Sequence, residues 1–441
     1  ANNGRIGDWR WLKFEGAGAN RAVLNHCIII HTDRGVHMLN SSPTISNTRI
    51  SHHATVCVRF EGSQGRVLNS TISNSQRTGV SIEETSLPTV RNCSIMQHPY
   101  NGISLRDNSG GIISGNSIYS VGDYGITLTE AGVCSLAYNF IYNCGREGIY
   151  ANQSNLPRIF RNVVTTCRGN YAIHLYRSES GNVINNTVIS NSGTGLAVIN
   201  GSANVINNVI ISNGRDGIFV QNSNPNLSSN CVWNNTRGDY EGLEPGNSDI
   251  AEDPQLDQNY FPAEGSPVID RGDQRYRDPD GTRADIGAKF FNQNHPPEIR
   301  SYWPEDPDTI QGDQEQEFGV EAVDPDNNVL VYTWYINGVQ SGDRSVFTHT
   351  FTRDDEYLVL VLVDDRLFAG QITVEWSFSV RGAEVKEQEE GIVDNFRLSA
   401  PYPNPFNSSS QFSLTTNSTG IAIISLLDLQ GREIAEFYRG Y

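Results

Sequence analysis

Short runs of alternating apolar and polar residues recur along the first 240 positions, each run opening on a small residue. Gly35-Val36, Gly79-Val80, Gly102-Ile103, Gly125-Ile126, Gly148-Ile149, Gly195-Leu196 and Gly217-Ile218 keep one beat, and Thr55-Val56 and Ala172-Ile173 fill its two gaps. After each glycine the first and third positions are apolar, as in Val80/Ile82, Ile126/Leu128 and Leu196/Val198. The second and fourth are mostly polar or variable, as in Ser81/Glu83, Ser104/Arg106 and His174/Tyr176. A period of two is the signature of a strand with one buried face. Asparagine keeps a second beat at Asn25, Asn47, Asn69, Asn92, Asn116, Asn139, Asn162, Asn186, Asn208 and Asn230, at intervals of 22 to 24 residues. Inward positions follow it at Ile72, Ile95, Ile118, Ile141, Val164, Val188, Ile210 and Val232.

Self-similarity at this period means one small unit stacked many times. Each period predicts two or three short strands separated by tight corners. Strands that short pair only with their counterparts one period away, in parallel. The product is a solenoid rising about 4.8 Å per coil, and ten coils make a rod on the order of 50 Å long. Asparagine suits the corners because it tolerates the left-handed conformation. Its amide also bonds to the asparagine amide above and below.

Over about residues 10–240 the chain resembles the right-handed parallel β-helix repeat proteins. The stretch from Asp253-Pro254 through Ser266-Pro267-Val268-Ile269-Asp270 to Ala284-Asp285-Ile286-Gly287 is similar to the tail that closes many secreted β-helices. It would cover the last coil and stop edge-on pairing. The predicted fold class is all-β, a right-handed parallel β-helix of about ten coils followed by two small β-sandwich modules.

The expected domain boundaries place the β-helix and its closing segment at 1–290 and a β-sandwich at 296–381. An acidic linker follows at 382–394, then a second small sandwich at 395–441. Ala322-Val323-Asp324-Pro325-Asp326, Tyr332-Thr333-Trp334 and Val363-Asp364-Asp365 resemble an immunoglobulin-like domain of the polycystic-kidney or cadherin-like kind. Asp324, Asp326 and Asp364 are candidate oxygen ligands for calcium, although Asp-Pro-Asp also makes an ordinary turn. The phrase Pro401-Tyr402-Pro403-Asn404-Pro405-Phe406-Asn407, with Leu426-Leu427-Asp428-Leu429-Gln430-Gly431-Arg432, closely resembles the sorting domain of type IX secretion substrates. That resemblance covers about the first half of such a domain. It implies a bacterial cell-surface or extracellular location and a secretion machinery as partner.

Charge narrows the field. The 441-residue chain has a formal net charge of −18. Residues 1–290 carry 23 basic and 25 acidic groups, and residues 291–441 carry 9 and 25. Neither half offers a basic face for nucleic acid. No apolar run is long enough to span a bilayer. The seven cysteines lack CxxC spacing, which argues against a zinc site or a disulfide framework. Cys144 and Cys167 stand one period apart and are expected to stack as small buried side chains.

Candidate chemistry on the rod is sparse at this level. Glu83 is the obvious outward acid, Asp107 lies near the next corner, and Arg59 and Arg106 show no clustered acids. His31, His52, His53 and His98 have spacing compatible with a metal, but a solvated corner explains them better. The position beyond each inward residue of the asparagine strand reads Met96, Tyr119, Tyr142, Thr165, Ile189, Ile211, Trp233, an apolar stripe. Such a stripe is either covered by residues 240–290 or the sandwich, or it binds another copy of the chain or a glycan. The sequence therefore favours a secreted structural or adhesive surface protein that binds glycan or assembles with itself. The alternative is a carbohydrate-active enzyme, a polysaccharide lyase or glycoside hydrolase, which would need two carboxylates on adjacent coils.

Overall fold

The computed structural model describes residues 5–155, 157–246, 248–305 and 307–383, together with the backbone of four short strands between 396 and 440. Residues 384–394 of the linker and, apart from the Leu426-Leu427 backbone, the type IX-like motifs lie outside the described residues.

Three parallel sheets run the length of the repeat region. The first has 11 strands, from Leu12–Glu15 to Gly238–Glu241. The second and third have 10 each, from Val23–Asn25 to Asn226–Ser228 and from Ile28–Ile30 to Cys231–Trp233. Every strand pairs with its counterparts one coil away, as Val80 with Val58 and Ile103. The alternation holds: Val36, Met38, Val80, Ile82, Ile126 and Leu128 are fully buried. So are Ile72, Ile95, Ile118 and Ile141, and together they form one continuous core. Glycine opens the first strand because there is no room for more. A Cβ on Gly125 would lie 2.5 Å from Ile141 Cγ2.

From Asn47 on, the asparagine beat is two columns, one residue apart, and Asn25, which pairs with Ser46, belongs to neither. Asn47, Asn69 and Asn92 hold the left-handed corner conformation, with φ of 49°, 48° and 54°. In later coils that place belongs to Gly115, Tyr138, Arg161, Asn185 and Asn207. Asn116, Asn139, Asn162, Asn186, Asn208 and Asn230 occupy the next position, pointing inward and fully buried. There each side-chain oxygen accepts the backbone N–H of the coil before it, at 2.9–3.1 Å. Cys27, Thr48, Ser70 and Cys93 precede them in the same column. The other two corners follow the same rule. One carries Ser63, Ser86 and Ser109, the other Thr32, His53, Ser75, His98, Cys144, Cys167, Asn191 and Asn213. Buried backbone donors must find partners, and these ladders supply them.

That register corrects the reading of His53 and His98 as a solvated corner, while His31 and His52 do sit at the corner, with φ of 64° and 63°. His53 and His98 are buried rungs of a ladder, their Nδ1 atoms 2.7 and 2.8 Å from Thr32 Oγ1 and Ser75 Oγ. Burial pushes both down to about 4, so they are neutral structural groups. Cys144 and Cys167 stack as expected and are buried, free thiols.

The closing segment lies on the third sheet and the last coil. Asp249 Oδ1 accepts the Asn230 N–H, so a carboxylate ends the asparagine ladder. Ile250 bridges Cys231 at the open edge. Val268 and Ile286 pack against Val209, Ile211 and Cys231, and a buried ion pair joins Arg161 to Asp278.

Contacts divide the chain into two compact units, Ala1–Pro296 with Asp365–Gly370, and Pro297–Asp364 with Gln371–Tyr441. In the second unit a three-stranded and a five-stranded sheet share one core of Phe318, Trp334, Phe347, Phe351, Trp376 and Phe378. Among the described residues no helix is long and apolar enough to cross a membrane.

Candidate functional site

The outer face of the first sheet gathers charged and aromatic side chains. Its outward columns follow from strand pairing. One reads Lys13, His37, Arg59, Ser81, Ser104, Thr127, Tyr150, His174. Its neighbour reads Glu15, Leu39, Glu61, Glu83, then Arg106, Thr129, Asn152, Tyr176. Parallel pairing thus stacks acids and guanidinium groups on successive rungs about 4.8 Å apart.

Over these rungs lies a groove of about 470 Å³ lined by Trp11, Arg34, His37, Arg59, Arg77, Ser81, Glu83, Ser104 and Arg106. Glu83, only 5 % exposed, is its anchor. Glu83 Oε2 is 2.7 Å from both Arg59 Nη2 and Arg106 Nη2, and Oε1 accepts the Ser81 hydroxyl. Burial alone would raise this carboxyl's pKa. The Ser81 hydroxyl and the two guanidinium groups outweigh it, and the net direction is down. Glu83 is thus held ionised.

Glu61 stands one rung away. Its Oε2 is 3.2 Å from the same Arg59 nitrogen and 3.0 Å from His37 Nε2. The Glu61 and Glu83 oxygens are therefore no farther apart than those two Arg59 contacts end to end. Burial lowers the His37 pKa, with Glu61 opposing it. The neutral imidazole donates from Nε2 to Glu61, while its buried Nδ1 has no partner. Glu61 Oε1 takes no hydrogen bond among the described residues. Arg77 forms no ion pair among them, and Arg34 lies 4.9 Å over the Trp11 ring.

Toward later coils the same face becomes aromatic. Tyr124 stacks on Tyr150 at 5.2 Å, Tyr150 meets His174 at 5.0 Å, and His174 meets Tyr171 at 4.4 Å. Tyr171 lies 6.3 Å from Phe219. His174, pushed down to about 4 by burial, is a neutral member of this row.

The expectation that Arg59 and Arg106 lack nearby acids is overturned, because both meet Glu83 and Arg59 also meets Glu61. Sequence reading missed Glu61 through a register error. Val58, not Val56, pairs with Val36 and Val80. Cys57-Val58 therefore opens this strand, and Arg59 and Glu61 fall on the outward columns. Thr55 and Val56 belong to the groove wall instead. Asp107 pairs only peripherally, 3.6 Å from Arg106 Nε.

The apolar stripe exists in the expected register, Met96, Tyr119, Tyr142, Thr165, Ile189, Ile211, Trp233. Its far end is not free. Ile189, Ile211 and Trp233 pack against Val268, Ile286, Ile250 and Leu256 of the closing segment. Tyr119 and Tyr142 stack on each other at 4.7 Å, and Phe140, beside Tyr142, meets Tyr260 at 5.8 Å. Thr165 is buried, and Met96 contacts the Tyr119 hydroxyl. In the second unit Asp324 Oδ1 accepts the backbone N–H groups of Asp326 and Asn328, as a turn requires. Asp364 Oδ2 accepts from Gln371. No group of three or more His, Cys, Asp or Glu side chains suited to a metal comes together among the described residues, Asp324, Asp326 and Asp364 included.

No curated protein matches the chain in sequence. Among solved structures it is similar to the pectate lyase Pel9A, at 13 % identity and a TM-score of 0.45, over 66 % of this chain and 85 % of that one. It is similar to the periplasmic alginate epimerase AlgG at 14 % identity and 0.39, over 55 % and 71 %. Tailspike protein 2 of bacteriophage CBA120 follows at 9 % and 0.40, over 82 % and 72 %. The model of the right-handed β-helix region family matches residues 34–182 and 101–253. The chain is a right-handed parallel β-helix repeat protein.

Proposed function

We propose that the protein is a carbohydrate-active enzyme that binds an acidic polysaccharide along the first sheet and cleaves it at the Arg59–Glu61–Glu83 cluster. The observation that carries this reading is the pair of carboxylates on adjacent coils bridged by Arg59, with Glu83 lining a guanidinium-rich groove and Glu61 beside it. A purely structural rung needs no such charge. Four arginines, Arg34, Arg59, Arg77 and Arg106, line the groove with one carboxylate, Glu83. Asp33, Glu61 and Asp107 pair with three of them from outside the lining, and the guanidinium faces that remain, Arg77 above all, suit an anionic chain. The aromatic row from Tyr124 to Phe219 offers ring faces for further sugars.

The two carboxylates have different tasks. Glu83 has both oxygens engaged and holds Arg59 and Arg106 in place. Hydrolysis by a pair of free carboxyl groups is therefore disfavoured, and β-elimination on a uronic acid unit fits better. Arg59 and Arg106 would neutralise the uronate carboxylate, which acidifies the adjacent carbon. Glu61, oriented by His37 and with Oε1 open, would take the proton from that carbon. The electron pair forms the new C=C bond as the glycosidic C–O bond breaks, and the leaving oxygen takes a proton from water.

The test is to incubate the protein with polygalacturonate, alginate and a neutral glucan. Elimination predicts ultraviolet absorbance from an unsaturated product with one of the two polyuronates, lost in Glu61→Gln. New reducing ends without that absorbance would point to hydrolysis, and no cleavage of any polymer would refute an enzymatic role. The stripe gives less support to adhesion or self-assembly, since the closing segment takes its far end.

A further inference from the structure

We propose that the second sheet carries an additional site for an anionic polysaccharide chain, centred on Tyr138 and flanked by Arg91 and Arg158. Strain, shape and charge converge there. Tyr138 holds φ 58° at the corner where other coils place Asn47, Asn69, Asn92, Gly115, Asn185 and Asn207, and where Arg161 of the next coil holds φ 52°. A bulky residue at positive φ is a backbone outlier, and such strain persists at sites of function. The ring gains no burial in return, being 57 % exposed. It stands edge-on to Phe160, 5.7 Å away, and Arg158 lies 4.8 Å over that second ring.

The rungs explain the hollow beside it. Pairing aligns Arg91, Ser114, Ala137 and Phe160 in one outward column and Thr89, Ile112, Ser135 and Arg158 in the next. Small residues at Ser114, Ser135 and Ala137 leave a depression of about 500 Å³, floored by the exposed Ile112. Its lining holds two arginines and no carboxylate. Arg91 Nε donates to Ser114 Oγ at 3.1 Å, which fixes that side chain along the groove. The two guanidinium-bearing rungs are three steps apart, about 14 Å. Aromatic faces between spaced cations suit a chain of sugar rings bearing carboxylates. Naming a uronate polymer as occupant rests on the proposed function. The site lies on a different sheet from the cleavage cluster, so it would hold the polymer rather than cut it.

Electrophoresis through gels containing polygalacturonate or alginate tests this, with cleavage of a short oligouronate measured in parallel. Tyr138→Asn installs the residue that other coils use, so the melting midpoint should rise by roughly 2–4 °C. Retention by the polymer should nevertheless fall about tenfold, with oligouronate cleavage unchanged. Tyr138→Phe should keep retention, and Arg158→Ser should lose it. Undiminished retention in Tyr138→Asn and Arg158→Ser, with loss only in Arg59→Ser, would overturn the second site and leave the proposed function standing. Failure of both polymers to retard the unmodified protein would overturn both.

Discussion

Replacing Asn139 by leucine, which keeps the branched outline of the side chain without its polar atoms, should weaken the solenoid by about 2–4 kcal/mol. Asn139 is 1 % exposed. Its Nδ2 donates to Ile113 O and to Asn162 Oδ1, both at 2.9 Å. Its Oδ1 accepts the Asn116 backbone N–H at 3.1 Å and Asn116 Nδ2 at 3.0 Å. Asn116 Nδ2 keeps Val90 O, and Asn162 Oδ1 keeps the Asn139 backbone N–H. The buried Asn116 N–H loses its acceptor, at about 1–3 kcal/mol for an orphaned donor, and the lost amide bonds add roughly 1 kcal/mol more. Equilibrium urea unfolding of the variant against the parent measures the difference. Asn92 is the control: at φ 54° it serves the corner and not the ladder, so Asn92→Gly should stay within about 0.5 kcal/mol. A loss below about 0.5 kcal/mol in Asn139→Leu would refute the ladder as a source of stability.

Glu83→Gln should raise KM for a polyuronate while leaving the fold intact, because Arg59 and Arg106 lose their shared anchor; an unchanged KM would refute that role. Glu83 has a depressed folded pKa, so its contribution to stability is present above the usual carboxylate value and is lost as pH falls through the depressed one. Parent and Glu83→Gln should therefore converge in melting midpoint in acid, and a constant difference down to pH 2 would contradict this. Asp285 is pushed up to about 7, mainly by burial, so its protonated form favours the closed segment. That contribution is complete below the usual carboxylate value and is lost as pH rises through 7. Carboxyl NMR should find its midpoint near 7, and a midpoint near 4 would refute the argument. Arg161→Ala leaves Asp278 buried without its cation, a loss of about 3–5 kcal/mol. Limited proteolysis should then nick residues 254–290, and unaltered resistance would show that the ion pair does not hold the segment.

The core was legible because burial imposes a period of two, and Val80/Ile82 or Ile126/Leu128 obey it without reference to other coils. The site was not legible in the same way, because it exists only across coils. Arg59, Glu61 and Glu83 meet when strands are stacked in one register, and a two-residue misplacement at Thr55-Val56 removes Glu61 from view. The asparagines misled in a related manner. The 24-residue step from Asn92 to Asn116 contains the shift from the corner column to the ladder column. Since both places favour asparagine, composition does not separate them. A signal was available in Thr48, Ser70 and Cys93, small residues that follow Asn47, Asn69 and Asn92 at the ladder position. Coverage of Ile211 and Trp233 was open in the sequence, because it depends on where Val268 and Ile286 return.

The most direct test of the central claim is a crystal structure of the Glu61→Gln variant with a bound uronate oligosaccharide. The account predicts the chain in the groove of the first sheet, one carboxylate between Arg59 and Arg106 and sugar rings continuing toward Tyr124 and Tyr150. Density for the sugar only elsewhere on the protein, with the groove beside Arg59 and Arg106 empty, would contradict it.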